Sequence, residues 1–194
     1  MDRTEAGPLR WTGLRRPLLA VLFIPVAFLL MLNVHELGHT AFAHLFGDGS
    51  AVYYLYRLQP GGGYCVGCNV YDPDALSLTG NLVVTLGGLI FTQLLALGLL
   101  FARSRDRYWF SGRLVHILIG VCLLDVAFQA FGGLSRNVMY QSALSGTDMA
   151  DFIYLSINGV GMGQGTVKLA ILVSSVAYLT WVVRALVAKR RSES

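Results

Sequence analysis

Charge is what this sequence has least of. Asp, Glu, Lys and Arg make up 13% of its 194 residues, about half the roughly 25% usual in soluble domains. Together with 55% apolar residues, that shortage argues against intrinsic disorder and against a coiled coil. Cysteine is scarce as well: three residues are too few for the dense disulfide framework of a small secreted scaffold. There is no internal repeat, and no low-complexity tract beyond Gly61-Gly62-Gly63. What remains is a single integral membrane domain over 1–194, poor in charge because lipid solvates charge badly.

Four apolar runs are long enough to cross about 30 Å of hydrocarbon, which takes about 20 helical residues. They cover about 17–46, 76–102, 110–131 and 166–188. Pro17 suits a first helical turn, Gly47 suits a helix stop, and Pro25 is expected to kink the first span. Ala41-Phe42-Ala43 has the small-x-small pattern of a signal-peptide cleavage site. The apolar run before it is about twice the length of a signal-peptide core, so cleavage there is not expected.

The basic residues are segregated. Arg3, Arg10, Arg15 and Arg16 precede the first span; Arg103, Arg105, Arg107 and Arg113 link the second to the third; Arg184, Lys189, Arg190 and Arg191 end the chain. A four-span arrangement puts these twelve of the fifteen on one face, leaving Arg57, Arg136 and Lys168 on the other. The positive-inside rule then predicts a multi-pass protein, of the plasma membrane, with both termini cytoplasmic. The same segregation accounts for the net charge of +4 without a nucleic-acid partner.

Two outer loops follow, 47–75 and 132–165. In the first, Ala51–Leu58 and Tyr64–Tyr71 flank the turn cluster Gln59-Pro60-Gly61-Gly62-Gly63 and read as a β-hairpin. The second is glycine-rich with short apolar patches and is expected to dip back towards the membrane. The predicted fold class is an all-α membrane protein, a bundle of about four transmembrane helices with a small extracytoplasmic β-hairpin.

One motif carries chemistry. His35-Glu36-Leu37-Gly38-His39 is an H-E-x-x-H sequence within a predicted helix. Residues four apart share a helical face, so the two imidazoles can grip one Zn²⁺ at about 2.0–2.1 Å each. Glu36 is offset to serve as general base towards a water that the metal acidifies. Ionisable groups within a span are costly and usually functional, and Glu36 and Asp125 are the acids deep in predicted spans. Zinc in a catalytic site takes three protein ligands and keeps one open position. Asp125 is the favoured third ligand; Asp148, in Gly146-Thr147-Asp148-Met149-Ala150-Asp151, is the alternative if the second loop folds inward.

The helix Phe28–Phe46, with Asn33-Val34-His35-Glu36-Leu37-Gly38-His39-Thr40-Ala41, resembles the first catalytic helix of the site-2-protease group of intramembrane zinc metalloproteases, the M50-like peptidases. The resemblance implies metal ligation by His35 and His39 and a general-base role for Glu36. It also implies an aspartate ligand from a Leu-Asp-Gly motif in a later span. Leu124-Asp125-Val126 matches that motif with valine in the glycine place and without a proline-rich lead-in. A Gly/Asn element common in the family falls near Thr79-Gly80-Asn81, so Asn81 is a candidate for orienting substrate or a catalytic group, with plain helix packing the equal alternative. Asn33 is open in the same way.

Cleaving a membrane-spanning segment requires that it be unwound, and a strand edge can hold it extended. Tyr53, Tyr54 and Leu55, within Tyr53–Leu58, or else Tyr64–Tyr71, are candidates for that edge, against an interfacial aromatic belt. Cys65-Val66-Gly67-Cys68 admits a disulfide or free thiols. His44 and His116 read as ordinary polar positions.

The expected function is therefore a zinc-dependent intramembrane endopeptidase with one Zn²⁺ per chain, hydrolysing peptide bonds in or next to transmembrane segments of substrate proteins within the lipid bilayer. The alternative, a non-hydrolytic metal carrier or chaperone in the membrane, explains the histidines and Asp125 equally well. It leaves unexplained a glutamate at the offset a base requires.

Overall fold

The apolar runs fold as helices in a computed structural model of the chain, which describes residues 12–58, 63–104, 112–136 and 147–192. In chain order the elements are α1 (Thr12–Phe46), a hairpin of β1 (Val52–Leu58) and β2 (Tyr64–Val70), α2 (Leu78–Ser104), α3 (Gly112–Ser135), α4 (Asp148–Asn158) and α5 (Gln164–Ser192). A single 3₁₀ turn, Pro73–Ala75, leads into α2. Four of the helices, α1, α2, α3 and α5, are long and apolar enough to cross a membrane. Their exposed faces carry Leu18, Leu22, Phe128, Phe131, Val173 and Val183. Helices apolar on their outer as well as inner faces suit lipid surroundings.

α1 runs unbroken through Pro17 and Pro25. It stops at Gly47, whose φ of +117° turns the chain so that the Asp48 N–H reaches the Ala43 carbonyl at 2.9 Å. Asp48 then closes the base of the hairpin. One carboxylate oxygen accepts the Ser50 N–H at 2.8 Å and the Ser50 hydroxyl at 2.6 Å; the other accepts the Asp72 N–H at 2.6 Å. The Ser50 hydroxyl, with the Asp72 N–H, holds the Asp48 carboxyl below the usual carboxylate range.

The hairpin is antiparallel, with Val52 opposite Val70 and Leu58 opposite Tyr64, one residue shorter at its open end than the sequence suggests. Its Gln59–Gly62 turn lies outside the described residues, as do the arginine-bearing link 105–111 and residues 137–146 of the second outer loop. Cys65 and Cys68 are joined as a disulfide within β2.

The later part of the second loop is α4, a helix the loop reading lacked. Thr147, in extended backbone, caps it by accepting the Ala150 N–H, and Asp148 and Asp151 occupy the first turn, where carboxylates complement the helix dipole. Met149 and Ile153 bury their side chains with Ala130 of α3 and Val167 and Ile171 of α5. At eleven residues α4 is about 16 Å long, too short to span.

Glycines set the closest approaches. A Cβ on Gly38 of α1 would lie 2.3 Å from the Gly87 carbonyl oxygen of α2, so the two backbones touch. Ala27 and Met31 of α1 extend this seam into a core with Ala96, Leu118, Val121 and Cys122. Gly87→Ala is expected to destabilise the detergent-solubilised protein by about 1–3 kcal/mol through overpacking, read as a lower thermal midpoint. Gly98→Ala, on the same helix where an added Cβ meets nothing within 4 Å, should not lower it. Equal effects would show that α1 and α2 do not meet at Gly87.

Candidate metal centre

His35 and His39 are one helical turn apart on α1, and both are turned into the bundle at 4% exposure. Space for them comes from α2: a Cβ on Gly88 would lie 2.4 Å from His35 Nε2 and 2.6 Å from His39 Nε2. The ring centroids are 5.0 Å apart, edge to face.

Each imidazole is held at Nδ1. His39 Nδ1 lies 2.6 Å from the Val84 carbonyl of α2. His35 Nδ1 lies 2.9 Å from Asp125 Oδ2 of α3, and the same oxygen accepts the Thr92 hydroxyl at 2.7 Å. A ring whose Nδ1–H donates to a carbonyl or carboxylate presents its Nε2 lone pair to whatever faces it, which is the usual support of a metal-binding histidine.

The group facing both Nε2 atoms is Asp148, at the first turn of α4. Its Oδ2 is 2.6 Å from His35 Nε2 and 3.3 Å from His39 Nε2. Donor atoms of His35, His39 and Asp148 all lie within 4.8 Å of one another. Two ligands at tetrahedral angles on zinc stand about 3.3 Å apart, so the His39–Asp148 separation already suits an ion and the His35–Asp148 pair needs to open by several tenths of an ångström. Two imidazoles and a carboxylate are also the right donor chemistry for zinc with one position left over. Burial pushes the Asp148 carboxyl up, but its bonds to His35 and His39 outweigh burial and hold it below the usual carboxylate range.

Asp125, the ligand favoured from sequence, is thus brought to the same cluster but on the far nitrogen of His35. The physical reason is register: α3 delivers Asp125 to the outer side of the ring, while α4 delivers Asp148 to the side that His39 shares. The acid in the third span braces His35 from outside, and the acid in the short helix joins the two histidines in the candidate donor set.

Glu36, next along α1, is half-buried and lines one cavity with His35, Asp125 and Asp148. Its carboxylate accepts a hydrogen bond from the Asn69 side chain of β2. The hairpin is pinned to the same stretch of α1 by the Tyr53 hydroxyl, which donates to Asn33 Oδ1. Gly67, at φ +62°, passes so close that a Cβ would lie 3.3 Å from that Asn33 oxygen. Asn69 was not singled out in the sequence, and only the hairpin's docking on α1 brings it to Glu36.

The remaining candidates fall elsewhere. Asn81 donates to the Pro73 carbonyl at 2.9 Å and lies near the Leu76 and Ser77 carbonyls, bracing the start of α2 in a local role the packing alternative anticipates. Tyr54 lies under the Arg57 guanidinium, 4.8 Å from its ring centre, and Leu55 is exposed. His44 is exposed, and His116 bonds the Gly112 carbonyl of its own helix.

No family model matches this chain, and neither the curated proteins nor the solved structures contain a significant match to it. The site therefore stands on its own geometry. With purified protein loaded with zinc, elemental analysis should find Asp148→Ala depleted of metal. Asp125→Asn should keep the metal with about 10–100-fold weaker affinity, as for the loss of a supporting partner. Full retention in Asp148→Ala with loss in Asp125→Asn would restore Asp125 as the ligand.

Proposed function

We propose that the chain is a zinc-dependent intramembrane endopeptidase of the site-2-protease kind, with both termini on the cytoplasmic side of a plasma membrane. The observation that carries this reading is the convergence of two imidazoles and a carboxylate inside an apolar bundle, with Glu36 on the same cavity. Bundles of lipid-facing helices rarely tolerate so many ionisable groups without a use for them.

His35, His39 and Asp148 are the residues that would hold zinc. A zinc ion there supplies Lewis acidity, acidifying water and polarising a peptide carbonyl. Glu36 takes a proton from the attacking water on its carboxylate and returns it to the departing amine nitrogen, so one group serves as base and then acid. Asn69 holds that carboxylate by donating to it, which fixes one oxygen and leaves the other for the proton. Asp125 and the Val84 carbonyl orient the two rings. The substrate is a membrane-spanning protein segment, and the free edges of the two-stranded hairpin beside Glu36 suit an unwound chain.

A carrier would use the same three donors and have no need of Glu36. Glu36→Gln is expected to cut cleavage of a membrane-spanning test substrate by about 10²–10⁴-fold, the usual worth of a general base, while bound zinc stays at one per chain. His35→Ala should lose both. Undiminished function in Glu36→Gln with loss in His35→Ala would favour the carrier.

A further inference from the structure

We infer that the cleft between α1 and α3 receives a short, unwound apolar stretch of polypeptide, and that Gln129 recognises it by accepting a hydrogen bond from a peptide N–H. The inference rests on the peptidase reading and names the part of the chain that would seat its substrate.

The cleft has a volume of about 770 Å³. Ile24 and Phe28 of α1 and Leu124 and Phe128 of α3 line it and are themselves exposed, while His35, Glu36, Asp148 and Gln129 supply its polar part. A helix about 11 Å across occupies roughly 500 Å³ per turn, so the cleft is comparable in volume to about five residues of polypeptide.

Gln129 is 8% exposed, on the inner side of α3. Its Nε2 donates to Asp148 Oδ2 at 3.0 Å. A carboxylate only accepts, so this bond settles which end of the carboxamide is nitrogen. The Oε1 atom is then a buried acceptor without a partner among the described residues, a rare condition in folded proteins. A lipid acyl chain has no donor to offer it. A transmembrane helix has none either, since its N–H groups are committed internally. Of these occupants, an unwound peptide has both free N–H groups for the orphaned oxygen and apolar side chains for the walls; a bound water would satisfy the oxygen but not the walls. The oxygen is covered when the side chain is as seen, so binding requires a turn about its last torsion that also draws Nε2 away from Asp148 Oδ2.

The test uses the full-length chain in lipid nanodiscs, carrying Glu36→Gln so that binding is read without hydrolysis. The probe is a synthetic Leu/Ala-rich membrane-spanning peptide with a central Gly-Pro break, together with a series in which one central amide N–H at a time is replaced by an ester oxygen. A photo-crosslinker at Phe128 should capture the probe, and one at Trp181, exposed on α5, should not. One ester in the series should weaken binding by about 3–10-fold, the worth of one hydrogen bond. Adding Gln129→Met should abolish that difference, a response that mere loss of packing would not produce.

Equal capture at both positions overturns the inference, as does an ester penalty that survives Gln129→Met. Should Gln129→Met fail to fold, the ester series still decides: uniform affinity across it means that Oε1 does not meet the peptide. A probe bound in this way but never cut by the native chain would overturn the peptidase reading and leave the cleft standing. Cleavage without ester discrimination would overturn the cleft alone.

Discussion

Four imidazole nitrogens, of two histidines each 4% exposed, lie inside an apolar bundle. A buried polar atom left unpaired costs about 1–3 kcal/mol, so the surroundings of His35 and His39 are constrained before any chemistry is considered. α2 must come near enough for the Val84 carbonyl to reach His39, and Gly87 and Gly88 are what permit that approach. α3 must carry an acceptor at the level of His35, which is Asp125. The two inward nitrogens are left facing each other, and the first turn of α4 closes the gap with Asp148. α2, α3 and α4 thus each answer to one nitrogen or one pair.

The hairpin belongs to the same arrangement. Asn33 and Glu36 are three residues apart on α1, one face of the helix, and both bond to the hairpin, through Tyr53 and Asn69. The sheet is therefore docked on the very turn that carries His35, and its position and the orientation of the Glu36 carboxylate are set together. Gly67 allows the close pass, and the Cys65–Cys68 disulfide encloses it in the strand that carries Asn69.

Much of this was legible in the residues. Hydrophobic length located the four long helices, Gly47 ended the first where its positive φ requires glycine, and the turn cluster after Leu58 placed the hairpin. His35, Glu36 and His39 declared themselves by spacing. α4 was missed because eleven residues in a glycine-rich stretch fall far below the length of a span. The signal was present: Thr147 before two acids in a first turn, then buried Met149 and Ile153 at helical spacing. The division of labour between Asp125 and Asp148 had no local signal. An acid in a span must be paired, but pairing with the outer nitrogen of a histidine meets that need as well as ligation does, and only the placement of α3 and α4 distinguishes them.

That placement also gives the site a direction. The Tyr178 hydroxyl of α5 donates to Gln93 Oε1, and Gln93 Nε2 in turn lies 3.0 Å from the Thr92 hydroxyl oxygen and 2.8 Å from the Cys122 carbonyl. With its oxygen facing that amide, Thr92 has one proton to give and two acceptors in reach, Leu89 O at 3.0 Å and Asp125 Oδ2 at 2.7 Å. The nearer, ionisable acceptor is favoured, since hydrogen bonds to a charged group are roughly twice as strong as neutral ones. Asp125 then has acceptors only to offer, so His35 donates to it from Nδ1. A chain of donors running from α5 through α2 and α3 thus fixes which nitrogen of His35 looks towards His39 and Asp148, so the outermost helix helps to determine the chemistry of a ring it does not touch.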